Sequence, residues 1–125
     1  MAVFHSNLYF WKIIQQQTSL QKISDATVQE IIIQSYKLIV QNYLAHRDLI
    51  PESQRIEVHY EDIAKDPIHV LTKVYDILKL GSFPKKEIKA FQMKNPTYKP
   101  QRYSSTGIDE RLKKEWSFAF EQWSG

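Results

Sequence analysis

The sequence has no cysteine, which excludes disulfides and thiolate metal sites and leaves the redox compartment open. Glycine is almost as scarce. Gly81, Gly107 and Gly125 are the only three, and none of them follows a strand pattern and precedes a capped helix. No glycine-containing loop able to cradle a phosphate can therefore be read. No apolar run approaches the roughly 20 residues of a membrane span. The opening MAVFHSNLYFWKII lacks the basic start and small-residue cleavage site of a signal peptide, so the cytoplasm is the default expectation and the compartment is otherwise open. A dominant charge sign is missing too: 17 basic against 14 acidic residues give a net charge of +3 and a pI near 9.0. That balance permits an anionic ligand but lacks the clustered basic stripe of a nucleic-acid binder, and no nucleic-acid partner is expected. His5, His46, His59 and His69 show no metal-ligand spacing, so no metal is expected either.

What is present suits a small helical domain. A chain of 125 residues that is 42% hydrophobic has the size of one domain with a modest core. Val3, Phe4, Leu8, Trp11 and Ile14 predict a helix from Val3 to about Gln16 that begins without an obvious cap. Thr18 to Asp25 reads as a loop. Thr27 with Glu30 three positions on forms a capping box, and Val28, Ile31, Ile32, Ile39, Val40, Tyr43 and Leu44 continue at helical spacing to about His46. Asp66 caps a further helix with Pro67 in its first position. Its stripe is Ile68, Leu71, Val74, Tyr75 and Leu78, and Gly81 is its expected stop. Pro84 begins a short helix through Ile88 and Phe91. Asn95 to Ser105 reads as an irregular basic-aromatic loop. A last helix from about Ile108 is expected to bury Ile108, Leu112, Trp116, Phe120 and Trp123.

One stretch breaks the helical pattern. In QRIEVHYEDIAKDP, Ile56, Val58 and Tyr60 alternate with Arg55, Glu57 and His59, the pattern of a half-buried strand. No second strand is available to pair with it, and a lone strand exposes a row of unsatisfied backbone groups. Either it pairs with another copy of the chain, or its sheet lies outside this sequence.

The ordered set of motifs around that strand resembles the C-terminal half of sulfotransferases, in the branch with carbohydrate-type and related bacterial enzymes. The resemblance rests on Arg47 to Pro51 as an Arg-x-x-Ile-Pro turn, on Ile56 to Ile63 as a strand ending in Tyr-Glu-Asp, on Asp66-Pro67, and on Val74 to Leu80. The closing IDERLKKEWSFAFEQW is similar to the family's terminal helix. Near the start, AVFHSN is similar to the end of the family's 3′-phosphate motif. The resemblance implies an α-rich fragment of an α/β P-loop-type sulfotransferase fold, about five helices with one or two short strands. It would form one domain over residues 1–125 and lack the phosphate-loop half.

It also implies the co-substrate 3′-phosphoadenosine 5′-phosphosulfate and a sugar or small-molecule acceptor. Ser6 would be the serine that binds the 3′-phosphate. Thr97 and Tyr98 would lie near the adenine, with Lys99 and Arg102 as neighbouring cations. The motif's arginine would fall before Met1, and the phosphate loop and the general base are absent from the sequence. The chain is accordingly expected to be inactive alone, with no catalytic residue of its own.

Plainer roles compete for the same residues. Ser6 could be an ordinary solvated hydroxyl. Glu61 and Asp62 are better read as structural than as a catalytic pair, one of them binding backbone N–H groups after the strand. His5, beside Ser6, is discounted as a general base because adjacent helical residues point apart. The aromatics read as core, and Lys85, Lys86 and Lys89 as a solvated helix face. If a missing half packs on Val28, Ile32 and Ile39, their exposure here at ~1.5–3 kcal/mol each would favour self-association. Two other readings stand beside the sulfotransferase: a non-catalytic helical interaction module that uses the exposed strand edge or a hydrophobic face, and an unrelated nucleotide-binding helical domain.

Overall fold

The computed structural model describes residues 1–95 and 107–123. Over these the chain is helical: α1 (Ala2–Thr18), α2 (Asp25–His46), α3 (Tyr60–Lys65), α4 (Pro67–Leu78), α5 (Lys85–Lys94), α6 (Ile108–Glu115) and α7 (Ser117–Trp123), with 3₁₀ turns at Arg47–Leu49 and Glu52–Gln54. Two compact units form. One comprises residues 1–45 with the described part of 101–125; the other is the described part of 46–100. None of the described helices is long and apolar enough to cross a membrane.

The first unit is built around Phe4, Val28, Ile32, Ile33, Leu112 and Trp116, with Met1, Leu8, Tyr36, Ile108 and Phe120 packed against them. On α2, Val28, Ile32, Ile33 and Tyr36 fall at the three- and four-residue spacing that lines one helix face. The end of α1 is closed by Thr18 Oγ1 donating to the Ile14 carbonyl at 2.9 Å. Its start has no side-chain cap, as expected. The start of α2 differs from the expected capping box. Ser24 caps it, its Oγ accepting the Thr27 N–H at 3.2 Å, and Glu30 instead reaches α6, where Arg111 donates to it at 2.6 Å. The hydrogen bonds from Gln34 and then Arg111 hold the Glu30 carboxyl below the usual glutamate range.

The C-terminal helix is broken. Trp116 separates α6 from α7, and the break turns its indole into the centre of the unit, 1% exposed. Its ring meets Phe4 edge-on at 6.3 Å and Tyr36 at 4.1 Å, while its Nε1–H donates to the Ile33 carbonyl at 3.2 Å. Tyr43 stacks on Trp123 at 6.3 Å. The expected exposure of Val28, Ile32 and Ile39 is corrected in part: Val28 and Ile32 are buried within the chain, and only Ile39 is open, at 67%.

In the second unit, Asp66 Oδ1 accepts the His69 N–H at 3.0 Å and Pro67 opens α4, as expected from the acidic-proline step. The stop of α4 falls earlier than Gly81. Lys79 takes the left-handed conformation at φ 52°, with Leu80 N–H donating to the Tyr75 carbonyl and Lys79 N–H to that of Asp76. That pair of bonds is a Schellman closure; Gly81 follows at φ 92°. Tyr75 meets Phe83 edge-on at 5.2 Å.

The expected strand does not form among the described residues. The backbone is extended at Arg55 and at His59, yet no ladder runs between them, because a strand exists only by exchanging hydrogen bonds with a neighbour. The α-rich class is correct; the one or two short strands are not seen.

Two outcomes follow from the Trp116 cluster. Trp116→Phe removes the indole donor and some buried volume and should lower unfolding stability by about 1–3 kcal/mol, read from a denaturant titration. Burial pushes the Tyr36 phenol above its usual value near 10. Its contribution is therefore complete below pH 10 and is lost as pH rises through the folded-state value. The denaturation midpoint should fall above about pH 10 more steeply in the wild type than in Tyr36→Phe.

Candidate functional site

Ser6 lies in the second turn of α1 and faces solvent, while the two residues before it face inward. Phe4 is completely buried. His5 brings Nε2 to 3.1 Å from Asp109 Oδ1 at the start of α6, and its ring meets that of Phe4 edge-on at 5.3 Å. The serine hydroxyl is thus presented outward from a turn held on its inner side by apolar and polar contacts. A hydroxyl can donate one hydrogen bond and accept two, which suits a phosphate oxygen. Thr97, Tyr98, Lys99 and Arg102 lie outside the described residues, so Ser6 is the one candidate binding residue that the structure places.

The second unit holds a cleft of about 510 Å³ between the extended segment and the α3–α4 corner, lined by Ile56, Glu57, Val58, His59, Asp62, Lys65, Asp66, His69, Val70 and Lys73. Part of its charge is already committed. Asp66 caps α4, and Glu57 accepts from the Arg47 guanidinium at 3.4 Å. Arg47 and Arg55 also lie 4.0 and 3.6 Å from Asp48. Arg55 Nη1 is buried with no hydrogen-bond partner among the described residues, an uncommon state for a guanidinium nitrogen.

Glu61 and Asp62 sit exposed in the first turn of α3, where negative charge favours the helix start. Among the described residues neither makes the backbone hydrogen bond expected of one of them; the chain enters a helix at Tyr60 directly. The described residues contain no group of three or more His, Asp or Glu able to hold a metal ion. Sequence reasoning missed both the cleft and the His5–Asp109 contact. The cleft depends on how α3 folds back on α4, and the contact joins residues 104 positions apart, so no local pattern signals either.

The sequence matches the sulfotransferase family over residues 6–84. The chain belongs to the sulfotransferase family. No curated protein and no solved structure matches it. The matched span opens on Ser6 and closes on Pro84, the residue before α5, so it takes in nearly all of α1, all of α2 to α4 and the segment that was expected as a strand. Helices α5 to α7 fall outside it. Members of the family generally use 3′-phosphoadenosine 5′-phosphosulfate.

Because Ser6 is exposed and its side chain is a single hydroxyl, Ser6→Ala should change unfolding stability by less than about 0.5 kcal/mol. Denaturant titration checks this, and a larger loss would mean that the hydroxyl supports the fold.

Proposed function

We propose that this chain is the C-terminal, α-rich part of an α/β P-loop-type sulfotransferase domain and carries part of its donor site. The enzyme so formed moves a sulfuryl group from 3′-phosphoadenosine 5′-phosphosulfate to a hydroxyl or amine on a sugar or small molecule. Ser6 donates its hydroxyl hydrogen to the 3′-phosphate, and Thr97, Tyr98, Lys99 and Arg102 contribute to the adenine and phosphate surroundings. The observation that carries this reading is the family match opening on Ser6, together with the outward presentation of that hydroxyl on α1.

Sulfuryl transfer requires more than a 3′-phosphate contact. Backbone N–H groups and a cation must hold the donor in line while charge builds on the leaving group, and a base must take the acceptor proton. Glycine stands only at positions 81, 107 and 125, and the described residues contain no strand–loop–helix to grip the 5′-phosphosulfate. The chain by itself therefore binds without turning over.

A second reading is supported by the extended backbone at Arg55 and His59, which joins no sheet among the described residues, and by the apolar exposure of α1 at Tyr9, Phe10, Trp11 and Ile13. In it, the chain is a non-catalytic helical module that associates with itself or a partner through the strand edge or that face.

Titration with 3′-phosphoadenosine 5′-phosphate, with adenosine 5′-phosphate as control, separates the two. The donor-site reading expects the 3′-phosphorylated nucleotide to bind at least about tenfold more tightly, and Ser6→Ala to remove most of that preference, since a hydrogen bond to a charged group is worth ~1.5–3 kcal/mol. Absent binding by folded protein overturns it in favour of the interaction module, and equal binding of the two nucleotides overturns it in favour of a nucleotide-binding domain unrelated to sulfotransferases.

A further inference from the structure

Among the described residues, two kinds of side-chain contact tie the first turn of α1 to the rest of the unit, and one of them is directional. Phe4 is buried against the Trp116 cluster, an apolar contact that holds the helix to the core but carries no hydrogen-bond direction. No side chain caps the helix. The His5 Nε2 to Asp109 Oδ1 contact at 3.1 Å supplies the missing direction. Its side chains are only 11% and 14% exposed, so solvent competes with it little. It joins α1 to the first turn of α6, which the core residues Leu112 and Trp116 anchor from behind.

Successive residues of a helix are about 100° apart. Fixing the bearing of His5 therefore fixes that of Ser6. A side-chain oxygen roughly 4 Å from the helix axis moves by about 1.4 Å when the helix turns by about 20°. An O–H···O bond has an optimum near 2.7–2.8 Å and is lost beyond about 3.5 Å, so such a rotation is enough to take the hydroxyl out of bonding range. We propose that His5 and Asp109 are positioning residues: their bond sets the rotation of α1 that aims the Ser6 hydroxyl at the 3′-phosphate. The proposal rests on the donor-site reading of Ser6 and adds to it the device that aims the hydroxyl.

The test uses the full chain and measures, by calorimetry, the ratio of affinities for 3′-phosphoadenosine 5′-phosphate and adenosine 5′-phosphate. That ratio is insensitive to the folded fraction, which circular dichroism gives independently. His5→Leu removes the donor, and Asp109→Ala removes the acceptor. His5→Gln keeps a donor nitrogen near the position of Nε2, and Asp109→Asn keeps a carbonyl acceptor. The expected result is a roughly tenfold loss of the ratio in His5→Leu and Asp109→Ala, and a ratio within about threefold of wild type in His5→Gln and Asp109→Asn. The two conservative variants keep the comparison meaningful if either truncation fails to fold.

If the wild type discriminates between the nucleotides and folded His5→Leu or Asp109→Ala discriminates equally well, positioning is overturned while the donor-site reading stands. The same holds if His5→Gln and Asp109→Asn lose the ratio as fully as the truncations. If the wild type itself does not discriminate, the donor-site reading fails and this proposal with it.

Discussion

The indole of Trp116 is the contact on which the first unit depends. It stands at the break between α6 and α7, touches Phe4 of α1 and Tyr36 of α2, and donates its one N–H to the Ile33 carbonyl. A tryptophan can be buried to this degree only when its N–H finds an acceptor, because an unpaired donor in an apolar setting costs more than the ring's burial returns. The helix break and the hydrogen bond therefore go together. An unbroken helix from Ile108 to Trp123 would place successive apolar residues on one straight stripe, whereas the turn at Trp116 lets the aromatic sit between helices and brings Ala119 into the core behind it.

That core explains how a solvent-facing hydroxyl can be held in a defined place. Ser6 makes no side-chain hydrogen bond among the described residues, yet it follows Phe4 and His5, which are fixed to the core and to α6 respectively. Apolar packing sets the depth of α1, and the His5–Asp109 bond sets its rotation. The match to the sulfotransferase family opens on this same residue.

The second unit follows a different logic. From Arg55 to His59 it has the alternation of a strand but no strand pairing among the described residues, and its ion pairs, each with one partner open to solvent, are of modest worth. What shapes it is local: the Asp66 cap, Pro67 and the Schellman closure at Lys79 fix both ends of α4. A lysine in the left-handed position is strained relative to glycine, and the closing hydrogen bonds compensate. Gly81 lies two residues further on, so composition alone pointed past the true end.

How much was legible depends on the range of the interaction responsible. Helix positions, the Asp66-Pro67 start, the α-rich class and the family resemblance came from spacings within a few residues, where side-chain geometry relative to the backbone is set locally. The capping of α2 was misplaced because Ser24 and Thr27 are both competent caps, and Glu30 is drawn away by Arg111 from the other end of the chain. The strand alternation from Ile56 to Tyr60 was real, but a strand is a relation between two segments and α3 begins at Tyr60 instead. By itself, then, the sequence determined the local helical grammar, the exclusion of thiol chemistry and the family resemblance. Tertiary structure alone decided which residues touch across long separations, the Trp116–Ile33 bond, the His5–Asp109 tie and the burial of Val28 and Ile32. Those contacts depend on the simultaneous placement of several helices, and no window along the chain contains both partners.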